Sequence, residues 1–190
     1  MLAAMRTASV LAAVLLLGAC SRDRERTDAY LSDLQGEVEK GVNGTIAACA
    51  PPSNRRDGLA IDRAKDVVAA YRLALEDQVG CVRREGCGRV EPSSGARDAE
   101  GSLAEADRPT LEAARRTLEA LLAGGTTKEA RGSIASAEEA GIDALGASAK
   151  LLVACRDRAR DAEVPQAIKN VEEAHAKFRA RVTAARPGGS

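Results

Sequence analysis

Cysteine and histidine are the side chains of this sequence with the widest choice of chemistry. The chain contains five cysteines and a single histidine, His175. Thiols form disulfides, bind zinc or act as nucleophiles, and a histidine can serve as a general base or a metal ligand. Zinc is a poor interpretation, because the chain has no Cys-x-x-Cys pair and His175 has no second histidine beside it. We therefore expect no metal site and no cofactor.

Enzymatic chemistry also has little support in the sequence. Neither a Gly-x-Ser-x-Gly nor a Ser-x-x-Lys motif marks a nucleophile. His175 lies on the apolar face of a predicted helix, where we expect a packed residue with one satisfied nitrogen rather than a general base. Acidic residues are expected on solvated helix faces, namely Glu37, Glu39, Asp66, Glu138, Glu139, Glu172 and Glu173. The sequence favours a protein that is not an enzyme; a hydrolase that uses His175 is the enzymatic alternative.

The N-terminal segment has the pattern of an export signal. Residues 1–6 contain one positive charge and no acid, and residues 7–17 are apolar apart from Thr7 and Ser9. This apolar run is shorter than the roughly 20 residues that a membrane-spanning helix needs. A charged start, a short apolar middle and a small-residue end predict a secretory signal over residues 1–19. Met5 would serve as a start as well as Met1.

Leu17-Gly18-Ala19-Cys20 follows the apolar run directly. This sequence resembles the lipobox of bacterial lipoproteins, and the resemblance covers residues 1–20 alone. It implies that Cys20 carries a thioether-linked diacylglycerol, that cleavage occurs before Cys20, and that the new amine is acylated. Ser21, in place of the Asp that retains such proteins in the inner membrane, implies an outer-membrane anchor facing the periplasm. The alternative is an ordinary signal followed by a chance cysteine.

Four cysteines remain after Cys20, and an even number in an exported protein predicts two disulfides. A helix predicted over residues 59–82 is roughly 36 Å long, whereas a disulfide needs Cα atoms within about 7 Å. Cys49 lies where this helix begins, and Cys81 and Cys87 lie near its end. The predicted pairs are therefore Cys81–Cys87 and Cys49–Cys155. Free buried thiols are the alternative.

The elements that position these residues follow from apolar residues that recur at steps of three or four. The pattern predicts five helices near residues 28–49, 59–82, 102–123, 136–160 and 165–185. Ser102-x-x-Glu105 and Thr126-x-x-Glu129 have the form of capping boxes. No segment has the alternation of a strand, so we expect an all-α bundle of four or five helices. Its core anchors are the three aromatic residues, Tyr30, Tyr71 and Phe178.

The topology depends on residues 83–101, which are polar and rich in Gly, Ser and Arg. A simple up-and-down order would place Cys155 at the end of the bundle opposite Cys49. A long crossover over 83–101 brings the two cysteines together, because it makes the third helix parallel to the second.

The sequence also predicts the domain organisation. We expect a signal over 1–19, an acylated polar tether over 20–28, a bundle over 29–186 and a loose tail over 187–190.

The amino-acid composition limits the classes of partner that the chain can bind. The chain has no formal net charge, so it lacks the basic excess that holds nucleic-acid phosphates. The arginine pairs Arg55-Arg56, Arg83-Arg84 and Arg115-Arg116 are expected on the solvated surface. The leading interpretation is a lipid-anchored envelope protein with a non-enzymatic structural or protein-binding role. The alternative is a carrier or sensor of a small ligand bound in a pocket between helices.

Overall fold

A computed structural model describes the backbone of residues 2–188 and the side chains of residues 22–188. Throughout this part the regular structure is helical and no strand occurs, which confirms the all-α prediction. The α-helices are α1 Leu2–Cys49, α2 Gly58–Arg83, α3 Ser94–Ser102, α4 Arg108–Ala123, α5 Lys128–Arg156 and α6 Val164–Ala185, with short 3-10 helices at Ser53–Arg55 and Arg158–Glu163. The side chains of the predicted signal and of Cys20, and residues Gly189 and Ser190 of the predicted tail, lie outside the described residues.

The number of helices corrects the sequence prediction, because residues 2–188 form six α-helices rather than four or five. The additional helix, α3, forms inside the segment predicted as a loop. Its N-cap is Ser93, whose hydroxyl accepts a hydrogen bond from the Ala96 amide at 3.2 Å. The capping-box prediction at Ser102 was wrong, because Ser102 ends α3 instead of preceding a helix.

Helix α5 begins earlier than the apolar pattern indicated. Its N-cap is Thr127, whose hydroxyl accepts from the Ala130 amide at 3.2 Å. Thr126, which the sequence predicted as a capping-box residue, lies one residue before this N-cap, and the helix continues through Gly132. A glycine in a helix costs only about 1 kcal/mol relative to alanine, which the packing of the rest of α5 outweighs.

Residues 20–28, which the sequence suggested as a polar tether, lie in α1. The Thr27 side chain is buried, and its hydroxyl donates to the carbonyl oxygen of Asp23 at 2.8 Å. Arg24 donates from Nε and Nη2 to the Pro187 carbonyl oxygen at 3.0 and 2.5 Å. These contacts hold the start of the described chain against the residues that follow α6.

The long crossover is present, and α2 and α4 are parallel. Arg63, near the start of α2, forms an ion pair with Asp107, which precedes α4, at 3.1 Å. Beyond the other end of α2, the Val90 amide donates to Glu119, in the last part of α4, at 3.1 Å. The chain therefore returns through α3 before α4 begins, and α5 then descends so that Cys155 ends beside Cys49.

The core lies between the long helices and is built from small and aliphatic side chains. Tyr30, Tyr71 and Phe178 are all fully buried, which confirms them as core anchors. Gly141 of α5 allows close packing against three neighbours: a Cβ there would lie 3.0 Å from Val38, 3.2 Å from Leu75 and 3.4 Å from Phe178. At this point α5 therefore touches α1, α2 and α6 together.

Candidate functional site

The four predicted disulfide cysteines form two bonded pairs. The Cα atoms are 5.5 Å apart in Cys49–Cys155 and also in Cys81–Cys87. This is the pairing that the length of α2 suggested. Gly86 has a φ of 76°, in the left-handed region that glycine adopts most easily, and so lets the chain turn back toward Cys81.

Arg56 organises the end of the bundle at which Cys49 and Cys155 meet. Its Nε donates to the carbonyl oxygens of Cys49 at 3.2 Å and Pro51 at 2.9 Å. Its Nη1 donates to the Cys155 carbonyl at 3.0 Å and pairs with Asp161 at 2.5 Å. The expectation of a solvated arginine was wrong here, because the Arg56 side chain is only 8% exposed. It satisfies carbonyl groups at the C-terminal ends of both α1 and α5.

A cluster of polar side chains occupies the middle of the core, contrary to the expectation that Glu37 and Glu138 lie on solvated faces. Tyr30, Glu37, Gln78 and Glu138 are each 0% exposed. The Tyr30 hydroxyl lies within hydrogen-bonding distance of Glu138 Oε1 and, at 3.1 Å, of Gln78 Oε1. We call these four side chains the buried polar cluster.

The buried polar cluster favours neutral carboxyl groups. Burial raises the pKa of Glu138 to about 8, against an opposing hydrogen bond with Tyr30. Burial also raises the pKa of Glu37 well above its ordinary value, although the Arg115 guanidinium acts in the opposite direction. Because a tyrosine hydroxyl has one proton, it cannot donate to both of its acceptors. A protonated Glu138 that donates to Tyr30, which in turn donates to Gln78, satisfies both contacts.

A group of charged side chains, separate from the buried polar cluster, joins α1, α2 and the start of α4. Asp107 is 2% exposed and pairs with Lys40 Nζ at 2.8 Å and with Arg63 Nη2 at 3.1 Å. The Tyr71 hydroxyl donates to the Asp107 carbonyl oxygen at 3.0 Å. Burial alone would raise the pKa of Asp107, but the hydrogen bonds from Lys40 and Arg63 lower it below its usual range. This group fixes the point at which the crossover enters α4.

His175 is half-buried on α6 and does not form part of either group. Its ring stacks on Phe178 with ring centroids 6.2 Å apart. Its Nε2 is buried and makes no hydrogen bond within the described part of the chain. Burial lowers the pKa of His175, and the nearby Arg179 lowers it further. The geometry therefore brings no Ser, Cys or carboxylate into a hydrogen bond with this nitrogen.

The outward surface of α5 carries two adjoining concave regions. One hollow of about 540 Å³ lies between α5 and α6, and a second of about 390 Å³ lies between α2 and α5. Both are lined by Arg72, Ala149 and Val153, so they join into one groove. Val153 is 59% exposed, and a Cβ on Gly146 would meet nothing within 4 Å. We call this surface the α5 face; its central residues are Ile142, Asp143, Gly146, Ala149, Lys150 and Val153.

Comparison with protein-family models, with curated proteins and with solved structures found no match to this chain. Among the residues that the structure describes, no group of three or more His, Cys, Asp or Glu side chains is arranged to hold a metal ion. Nor does the described chain contain a helix that is both long enough and apolar enough to cross a membrane. The geometry of this molecule defines the candidate site, which is the exposed groove of the α5 face.

Proposed function

We propose that this chain is a lipid-anchored envelope protein whose bundle has a non-enzymatic role in binding another protein or in envelope structure. The proposed anchor is Cys20, and Ser21 after it favours the outer membrane with the bundle facing the periplasm. The observation that supports a binding role is the exposed groove of the α5 face. An exposed apolar groove bordered by polar residues is typical of a protein interaction site.

The closed interior supports the same role. The largest side chains are packed in the core, and the groove over α5 is open at the surface. An amphipathic helix of a partner would place apolar side chains beside Ala149 and Val153, which is a recurrent mode of recognition. Lys65, Arg72 and Lys150 border the groove and would be available to polar groups at the edge of the contact.

The anchor is tested by feeding cells an alkyne fatty acid and comparing the wild type with Cys20→Ala. The expected result is labelled wild-type protein and unlabelled variant. Cys49→Ala in the same experiment is the matched control, because it removes a cysteine without touching the lipobox. Equal labelling of wild type and Cys20→Ala would reject the anchor.

The binding role is tested by placing a photo-cross-linking amino acid at Val153 in intact cells and identifying the products by mass spectrometry. Ala176, an exposed residue of α6, is the matched control position. We expect a defined protein product from position 153 and none from position 176. The same products from both positions would indicate random collision and contradict a specific α5 face.

A carrier or sensor of a small ligand is the second candidate, and the hollow between α2 and α5 favours it. This hollow is lined by Ile61, Val68 and Leu152, and its volume of about 390 Å³ lies in the range of small-molecule sites. Native mass spectrometry of protein purified from its own cells would show a bound small molecule. Its loss in Ala69→Trp, which fills the hollow, would favour the carrier over the interaction role.

A further inference from the structure

The α5 face carries two opposite charges at a spacing that suits a second copy of the same helix. Asp143 and Lys150 are both exposed, and neither forms an ion pair within the described residues. They are two helical turns apart, so their Cα atoms are separated by about 10 Å along the axis. They are thus too far apart to pair with each other within one chain.

An antiparallel copy of α5 would provide the missing partners. When two identical helices pack antiparallel about a twofold axis, residue i faces residue j and residue j faces residue i. An axis level with the midpoint of Asp143 and Lys150 sets each Asp143 opposite Lys150 of the second copy. Two identical ion pairs then form, one on either side of the axis. In a parallel pairing, each Asp143 would instead lie level with Asp143 of the other copy, and each Lys150 with its Lys150.

The residues nearest this axis are small enough to allow close approach. The midpoint falls between Gly146 and Ala147, and there is open space above Gly146. In the same register, Ile142 of one copy is level with the gap between Ala149 and Val153 of the other. The exposed Val153 is thereby covered by an apolar neighbour. Charge pairing, space at the axis and apolar contact therefore all favour a single register.

We propose that the partner of the α5 face is a second copy of this chain, bound antiparallel about a twofold axis at Gly146. This inference rests on the proposed interaction role and names its partner. The stretch from Asp143 to Val153 spans about 15 Å, so the contact is at the small end of specific interfaces and the dimer is concentration-dependent. The two N-terminal ends lie at opposite ends of the dimer, so a lipid-anchored pair lies along the membrane surface.

Cysteine trapping in the full chain tests the register. Membranes or lysates that contain Gly146→Cys are treated with a mild oxidant, which takes two electrons from two thiols as the disulfide forms. We expect a covalent dimer on a non-reducing gel, because the two copies of position 146 lie beside the axis. Val153→Cys is the matched control, and its two copies would be about 20 Å apart. Equal dimer from both variants would indicate a parallel or random contact, and no dimer from Gly146→Cys would reject the proposal.

A charge exchange gives a second and independent test in the Gly146→Cys background. Asp143→Lys and Lys150→Asp are each expected to reduce the trapped dimer several-fold, because each leaves like charges facing each other. The double variant restores both ion pairs and should recover the dimer. Both residues are exposed, and circular dichroism checks that every variant folds. Loss in both single variants without recovery in the double variant would overturn the register.

The two proposals fail in different ways. A cross-link from Val153 to another protein, together with no trapped dimer, would leave the interaction role standing and reject the second copy as the partner. Absence of both products would reject the interaction role itself.

Discussion

The Tyr30 hydroxyl hydrogen-bonds to the Glu138 carboxyl group, and both side chains are completely buried. A carboxyl group in this position is stable when it is neutral, because transfer of its charged form out of water is costly. The interior of the bundle therefore binds a proton that the unfolded chain releases at lower pH. This linkage makes the stability of the fold depend on pH.

We expect the free energy of unfolding to decrease as the pH rises from about 5 to about 8, the interval between the ordinary pKa of a glutamate and the raised pKa of Glu138. In this interval the unfolded chain has lost the Glu138 proton and the folded chain has kept it. The slope from one such carboxyl group is up to about 1.4 kcal/mol per pH unit. Urea unfolding at a series of pH values measures it.

Glu138→Gln removes this titrating group while retaining its size and a hydrogen-bonding side chain. The variant should show a flatter dependence on pH and a higher free energy of unfolding than the wild type at pH 8. Glu139→Gln changes the neighbouring half-exposed carboxylate and serves as the matched control. If Glu138→Gln and Glu139→Gln alter the pH profile to the same extent, the buried carboxyl is not its source.

Arg56→Ala should destabilise the bundle by about 2–4 kcal/mol, because it leaves carbonyl groups of Cys49 and Cys155 without a donor in a largely buried setting. Arg56→Lys should recover little of this loss, since an ammonium group cannot reproduce the planar set of donors. The exposed neighbour gives the control: Arg55→Ala should change stability by less than about 0.5 kcal/mol. Thermal unfolding by circular dichroism compares the three, and equal effects of the two alanine variants would contradict this role.

Removal of the two disulfides should have unequal effects. Cys49 and Cys155 are 106 residues apart in sequence, and Cys81 and Cys87 are 6 apart. The chain-entropy estimate gives about 5 kcal/mol for the long loop and about 2 kcal/mol for the short one, with smaller values common in practice. The double variants Cys49→Ser/Cys155→Ser and Cys81→Ser/Cys87→Ser are compared by chemical unfolding. A larger loss from the second double variant would contradict this account.

Gly141→Ala should destabilise the protein by about 1–3 kcal/mol, even though alanine is the better helix former. The added methyl group would press on Val38, Leu75 and Phe178 at the point where α5 meets three other helices. Gly36→Ala is the control, because its Cβ would meet nothing within 4 Å. That variant should gain up to about 1 kcal/mol. Stabilisation by both substitutions would show that the core has room at Gly141.

The sequence predicted the helices and the cysteine pairing best, because both depend on chain geometry. Steps of three or four residues identify the buried sides of α1, α2 and α6. The length of α2 separates Cys49 from Cys81, which restricts the possible disulfides. The same separation implies the crossover that the ion pair between Arg63 and Asp107 now locates.

The buried polar residues were missed because polarity was taken as a sign of exposure. Glu37 lies two turns after Tyr30 on the same side of α1, and Glu138 lies in line with Ile134, Gly141 and Leu145 on α5. The positions of Glu37 and Glu138 in their helices therefore indicated burial, although their charge suggested exposure. Arg56 gave no comparable pattern, because it is buried by the ends of α1 and α5, which are far apart in sequence. Helix α3 gave none because it is too short to show a periodic apolar stripe.

The Cys49–Cys155 bond also determines how the molecule would respond to mechanical tension. A force applied between the N-terminal end and the C-terminus would pass directly across this covalent link. The intervening chain, which includes α2, α3, α4 and nearly all of α5, would then bear no load. Stretching would extend only the segments outside the link, and reduction of one bond would release the length of more than half the protein.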